Sequence, residues 1–595
     1  MSGTGDAIAS GGGLANAGYI HQVSVKKLTM VQQRVPQEPA AWPHQVGVIP
    51  SRARSFQHRA EANRLRAAVD GGGTAVLSQV LTGMGGVGKT QLAADYARAA
   101  WEDGGLDILV WVAVSASSPV VDGYAQAGVE LCRADPDDPE RAAKQFLAWL
   151  APKAGQEPCR WLIVLDDVAD PDDLVVNPDD PDNRYSLWPP ASPYGRTLVT
   201  TRRRDSALFG DSRHRIEVGL FTGAEAAAYL TTSLAAQGRV EPADQLTALA
   251  CDLGYLPLAL SQAAAYLIDA GLGAAAYRAL LADRATALAD TAPDRLPDEQ
   301  ASAVAAAWSL SVDRADNLRP AGLARPMLQL AAMLDANGIP QAVLTGEPAL
   351  THLTAHRSRT GPRRAWRLKW WPGKRRRSPA PTTREEAIGA LRALHRLSLI
   401  DHTPTTAHHV VRIHQLVQRA TRDTLTPAEL DQLARTAADA LMASWPDVER
   451  EAALGQGLRA NTTTLTRNAE AALFQPVPHA VLYRAGKSLA DSNQGAAARD
   501  YFDSLAAAAC RRLGPNDSYT LAIRHNLAQC QGTAGDPRRA VAAFAELLPD
   551  FMSVLAPDDP AILIARHNLA HWQGEAGDPS GAAAAFAELL PDYVR

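Results

Sequence analysis

Eight residues, Gly83-Met84-Gly85-Gly86-Val87-Gly88-Lys89-Thr90, have the types and spacing needed to hold phosphate. Glycines accept the backbone angles that wrap main-chain N–H groups around an anion. The lysine after such a turn reaches the outer phosphates, and the hydroxyl that follows is a ligand for Mg2+. Gly83, Gly85, Gly86, Val87 and Gly88, with Lys89, Thr90 and Gln91, therefore form the expected cradle for ATP or ADP. Two further groups could complete its chemistry. Asp166 and Asp167 end the apolar run that starts at Trp161. Asp166 would join Thr90 in holding Mg2+, and Asp167 would position or deprotonate an attacking water. Arg202 closes Thr200-Thr201-Arg202 and would sense the γ-phosphate. Arg203 and Arg204 follow it, so spacing alone selects Arg202. Lys89, Asp166, Asp167 and Arg202 are the expected catalytic set.

These groups need a scaffold that brings strand ends together. Strand-like runs at 75–81, 108–115, 161–166, 197–201 and 215–220 alternate with helical segments. Apolar runs without alternation suit strands covered on both faces, hence a parallel sheet. The helical run after Thr90 would place phosphate at a helix N-terminus. A doubly wound α/β domain with its ligand at the carboxyl ends of the strands follows.

In this order the motifs resemble those of the NB-ARC class of STAND NTPases. After the G-M-G-G-V-G-K-T loop and the L-I-V-L-D-D strand come T-T-R at 200–202 and Gly254-Tyr255-Leu256-Pro257-Leu258-Ala259, which is similar to that family's G-L-P-L-A motif. Ile413-His414-Gln415 resembles its M-H-D segment, and Phe56 to Glu61 resembles its entry segment with His58 in place of a glycine. The resemblance implies that Pro257 packs on adenine, that His414 contacts the β-phosphate of ADP and holds a closed state, and that Arg59 lines the base and ribose. It also implies slow ATP hydrolysis that resets a signalling switch.

The rest of the chain reads as helices. Residues 222–290 suit a small bundle, and helices followed by a short hairpin at 399–413 suit a winged helix. Inside that unit, 357–377 holds ten Lys/Arg, no acid, and Trp366, Trp370 and Trp371. Such a loop is solvated, or it binds nucleic acid or an anionic surface. Near the end, Phe502, Phe544 and Phe586 recur every 42 residues within matching segments. Two-helix units of that length cannot bury their apolar faces alone and so stack. They resemble tetratricopeptide repeats, whose concave surface would take a protein or peptide ligand.

The expected architecture is multidomain: a Gly/Ala-rich tail at 1–45, a P-loop α/β domain with a parallel sheet at 46–220, a helical bundle at 221–300, a winged helix at 301–425 and an α-solenoid at 426–595. The tail is a flexible segment or an amyloid-type signalling motif that reaches a downstream effector. The net charge of −5 gives no global attraction to nucleic acid. The five scattered cysteines form no C-x-x-C pair, and no run reads as a signal peptide or a membrane span, so a cytoplasmic protein is expected. Two functions fit. One is an ATP/ADP-switched signalling NTPase that oligomerises when active, in defence or stress. The other is an ATP-gated transcriptional regulator that binds DNA through the winged helix and the basic insert.

Overall fold

The apolar runs build the sheet that the sequence requires. The computed structural model describes residues 39–50, 52, 57, 59–69, 73–79, 86–114, 117–136, 138–152, 159–168, 170–176, 184–201, 213–291, 299–357, 380–402, 408, 410–556 and 559–594. The elements of the first domain are β1 (His44–Val46), α1 (Ala60–Val69), β2 (Gly73–Gln79), α2 (Lys89–Glu102), β3 (Ile108–Ala113), α3 (Ser117–Cys132), α4 (Pro139–Leu150), β4 (Trp161–Val168), the small hairpin β5 (Val175–Val176) and β6 (Tyr185–Ser186), β7 (Gly195–Thr201) and β8 (Arg213–Val218). The main sheet is parallel in the order β1-β3-β4-β7-β2-β8. Successive strand residues serve two cores. Leu109, Trp111, Leu162, Val164 and Leu198 face one, while Ile108, Val110, Ile163, Leu165 and Val199 face the other. Burial on both faces explains why these strands lack a polar alternation.

Two details differ from the sequence reading. The sheet gains β1, paired with β3, at the boundary assigned to the tail. Three residues are too few to display a period. The strand expected at 75–81 is Gly73–Gln79, and the one expected at 215–220 is Arg213–Val218.

Helices α5 (Gly223–Ala235), α6 (Ala243–Asp252), α7 (Pro257–Ala270) and α8 (Ala274–Thr291) make the bundle. A capping box at Thr222 and Glu225 starts it. No single helix among the described residues is long and apolar enough to cross a membrane. Helices α9 (Glu299–Asn317), α10 (Ala324–Ala331), α11 (Gln341–Thr345), α12 (Glu347–His356) and α13 (Arg384–Arg396) lead to an antiparallel hairpin, β9 (Ile400–His402) and β10 (Val411–Ile413). Then α14 (Gln415–Asp423) follows directly. This is the expected winged helix. Most of its basic insert, residues 358–379, lies outside the described residues.

One buried histidine in this unit has a measurable consequence. His352 of α12 stacks on His356 with ring centroids 4.3 Å apart. Burial, and then the neighbouring His356, push its pKa down to about 4. The unfolded chain therefore takes up this proton first, below about pH 6.5, and stability is lost as pH falls from there toward the folded value. His352→Leu is expected to stabilise the protein more at about pH 5 than at about pH 7.5, by about 2 kcal/mol in chemical denaturation. Equal effects at both pH values would contradict it.

Helices α15 (Pro427–Ser444), α16 (Ala452–Phe474), α17 (Ala480–Asp491), α18 (Gly495–Leu513), α19 (Ser518–Thr533), α20 (Pro537–Val554), α21 (Pro560–Glu575) and α22 (Pro579–Val594) complete the chain. The last six form three helix pairs whose contacts repeat. Tyr483, His525 and His567 each meet, edge to face, the phenylalanine of the next helix: Phe502 at 6.1 Å, Phe544 at 5.1 Å and Phe586 at 5.1 Å. Between units, Tyr483 Oη donates to Asn526 Oδ1 at 3.2 Å, and His525 Nε2 lies 3.0 Å from Asn568 Nδ2. Asp517 and Asp559 cap α19 and α21, and Asp536 caps α20. A helical solenoid is the result.

Candidate functional site

Strand order sets the site. β7 lies between β2, which leads toward the phosphate loop, and β4, which carries the acids. The end of β7 is thus brought beside both. Thr90 Oγ1 donates to Asp166 Oδ1 at 2.8 Å, and Thr200 Oγ1 at the end of β7 donates to the same oxygen at 2.6 Å. Thr200 Oγ1 also accepts from the Asp167 N–H at 2.8 Å. Asp166 is 4% exposed. Burial pushes its pKa up to about 6, against the Thr200 hydrogen bond; Asp167 adds to the rise, and Thr90 and Arg412 oppose it. Asp167 has φ +61, the left-handed region that a side chain rarely takes. That backbone costs energy, which the packing around the strand end offsets.

Gly86 (φ +83) and Gly88 (φ +96) supply the left-handed turns before α2. No acid occupies the first turn of α2, so its N-terminus favours an anion. Lys89, Thr90 and Gln91 are half-buried there. Gly83, Gly85 and Arg202 lie outside the described residues. Thr90 and Asp166 are hard oxygen donors of the kind Mg2+ takes, and with nucleotide bound the ion would neutralise charge on the outer phosphates. Among the described residues no cluster of three or more His, Cys, Asp or Glu could replace that site.

Two distant motifs close over the loop. A methyl group built on Gly86 would lie 3.1 Å from Leu258 Cβ and 3.5 Å from His414 Cε1. Pro257 begins α7 after a turn in which Gly254 and Tyr255 both have positive φ. His414 caps α14, its Nδ1 accepting from Leu416 N–H at 3.1 Å. The neutral ring then carries its proton on Nε2, a donor of the kind that a phosphate oxygen accepts from. The next residue, Gln415, donates from Nε2 to Asp167 Oδ2 at 2.6 Å.

Arg59, expected to line base and ribose, is held by main-chain carbonyls. Its terminal nitrogens donate to the carbonyls of Val87 (3.0 Å), Gly219 (2.8 Å) and Leu220 (3.0 Å), and it lies over the Phe221 ring. It buckles the phosphate loop to the start of the helical bundle.

Residues 63–236 match the NB-ARC domain, and residues 314–430 match a domain of unknown function, DUF7779. The chain carries an NB-ARC domain. A curated relative, an NLR-like protein of the fungus Hyaloscypha variabilis, is 28% identical over 200 residues, which is 31% of this chain and 19% of that one. The NB-ARC chain thus spans about a fifth of that relative's length. Among solved structures it is similar to a STAND protein with a tetratricopeptide repeat sensor from Pyrococcus horikoshii, at 12% identity and TM-score 0.38, covering 91% of this chain and 78% of that one. It is also similar to TPR-like repeats of a putative kinesin light chain from Podosopora anserina, at 16% identity and TM-score 0.23, covering 35% and 87%. Both likenesses are too distant to carry function.

Several site residues of the NB-ARC protein escaped the sequence reading. Thr200 and Gln415 were seen only as parts of motifs. A polar cluster between the nucleotide domain and the repeats was not seen at all. Arg459 of α16 donates to Asp122 of α3 at 3.1 Å and to Ser488 at 2.8 Å, and lies 3.6 Å from Glu449. Gln494 donates to Asp122 at 2.5 Å and accepts from Ser118 at 2.9 Å. Two residues further along α16, Asn461 accepts from Asp335 N–H at 3.0 Å and donates to the Gly338 carbonyl at 2.7 Å, so α16 also grips the winged helix. No local pattern signals pairs 337 residues apart in sequence.

The crowding at Gly86 is directly testable. Gly86→Ala combines an unfavourable φ with a close approach to Leu258, and is expected to weaken ADP binding by about 2 kcal/mol, roughly thirtyfold. Unchanged affinity would mean that Leu258 and His414 do not press on the occupied loop.

Proposed function

We propose that this NB-ARC protein is a nucleotide-switched signalling NTPase. ADP, held by Lys89 and covered by Pro257, Leu258 and His414, keeps the nucleotide domain, helical bundle and winged helix together. A protein or peptide ligand on the repeats weakens the contacts of α16, ATP replaces ADP, and the opened chains assemble. Hydrolysis is slow, uses Asp167 to orient water, and returns the chain to its closed form. The single observation that carries this reading is the convergence on Gly86 of Leu258 from the bundle and His414 from the winged helix. A ligand that contacts parts of three units has the differential affinity that a two-state device requires.

The test is solution mass by light scattering, with ADP and then with a slowly hydrolysed ATP analogue and Mg2+. A rise from monomer to oligomer only with the analogue, absent in Lys89→Ala, is the expected outcome. A monomer under both conditions even when the repeats are deleted would sink the assembly step.

A further inference from the structure

Two consecutive residues of the winged helix reach two different parts of the nucleotide site. The His414 ring lies 3.5 Å from a methyl group built on Gly86 of the phosphate loop. Gln415, the first residue of α14, donates from Nε2 to Asp167 Oδ2 at 2.6 Å. The start of α14 therefore spans from the phosphate loop to the end of β4. Asp167 is held there by its own sheet. Its N–H donates to Thr200 Oγ1 at 2.8 Å, its φ is +61, and the register of β4 on β7 shifts between Leu165 and Val168. These features belong to β4 and β7, so the main chain of Asp167 is set without the winged helix. The Gln415 contact is of another kind. It falls on a carboxylate oxygen, the group that an attacking water would meet.

We propose that Gln415 is a brake on hydrolysis: while the winged helix is docked, its amide occupies the Asp167 carboxylate that orients the attacking water. The inference rests on the nucleotide reading above, in which Asp167 has that task. In the hydrolytic step the water oxygen bonds to the γ-phosphorus. The bond from that phosphorus to the bridging oxygen breaks, its electron pair stays on ADP, and one water proton passes along the hydrogen bond to Asp167. A carboxylate oxygen that already accepts from a protein amide is weaker as an acceptor for that water, because hydrogen bonds to an ionised group are strong and directional. A neutral amide suits the brake. A carboxylate at position 415 would face Asp167 with like charge at hydrogen-bond distance. Gln415 thus acts through Asp167, and it ties the chemical step to the position of a unit 248 residues away. A triphosphate is cleaved once α14 has left the end of β4.

The test is single-turnover ATP hydrolysis by the full chain in excess over nucleotide, which reads the chemical step and not ADP release. The variants are Gln415→Leu, which loses the donor, and Gln415→Asn, which keeps an amide one methylene too short. Each is also made in an Asp167→Asn background, and circular dichroism controls for folding. Both single variants at 415 are expected to hydrolyse faster than the wild type, by on the order of tenfold. Their affinity for a slowly hydrolysed ATP analogue, read by calorimetry, is expected to stay within about threefold of the wild type, since one hydrogen bond is lost. In the Asp167→Asn background the same changes at 415 are expected to give no acceleration. A rate that falls or stays the same in both variants overturns the proposal. So does an acceleration that persists without the Asp167 carboxylate, because a loosened winged helix alone would produce it. Asp167→Asn hydrolysing at the wild-type rate would instead sink the role of Asp167 in the nucleotide reading, and that single variant tells the two failures apart.

Discussion

Arg459→Ala is expected to part the repeat domain from the nucleotide domain. The Arg459 and Asp122 side chains are 10% and 14% exposed. Burial pushes the Asp122 carboxyl up, and Arg459 pulls it back only in part. Removing the arginine leaves that carboxylate desolvated with only the Gln494 amide. Breaking a buried pair from one side costs about 3–5 kcal/mol. The lower figure fits a pair with some exposure, and corresponds to a factor of about 150 in an equilibrium constant. Because the pair joins two units of one chain, the loss should appear as opening of the contact before unfolding. Hydrogen exchange at α3 and α16 is the measurement, and the expected result is loss of protection confined to these helices. The double variant Asp122→Ala/Arg459→Ala should lose less than the sum of the singles, since neither then strands a charge. Unchanged protection at α3 in Arg459→Ala would show that the contact carries no interface energy.

The second large effect separates two residues that the 42-residue period makes equivalent. Phe544 is fully buried, whereas Phe586 is 37% exposed. Each meets a histidine edge-on at the same 5.1 Å. Phe544→Ala is expected to cost about 3–5 kcal/mol through lost burial and the cavity it leaves. Phe586→Ala should cost about 1–2 kcal/mol, since part of its surface is already in water. In a solenoid each unit depends on its neighbours, so the Phe544 loss should spread to α19 and α21. Denaturation followed by exchange at these helices would check it. Equal costs would mean that the period, and not the burial, sets the energy.

What the sequence made legible was local. The phosphate loop is eight consecutive residues, because an anion cradle is built from one turn and one helix start. The hairpin before His414 and the 42-residue repeat are likewise patterns of near neighbours. The apolar strands disclosed a parallel sheet but not its order, and order is what brings Thr200 to the Asp166 oxygen that Thr90 also holds. Gln415 and Asp167 are 248 residues apart, and nothing in either segment names the other. Arg59 was assigned by motif to the nucleotide, yet carbonyls of Val87, Gly219 and Leu220 use its terminal nitrogens. Polar residues in folded proteins find partners by topology, so long-range pairs remain silent in a linear pattern.

Helix α16 is held on two sides at once. Arg459 and Asn461 are two positions apart, about 200° around a helix, and so point to opposite flanks. One grips the nucleotide domain and the other grips the segment 335–338. A rotation or slide of this rod cannot release one flank while sparing the other. Partial release should therefore yield a mixture of shut and released molecules, not a population of half-released ones. A signal reporting release would then change in amplitude across the population without passing through a half-released species.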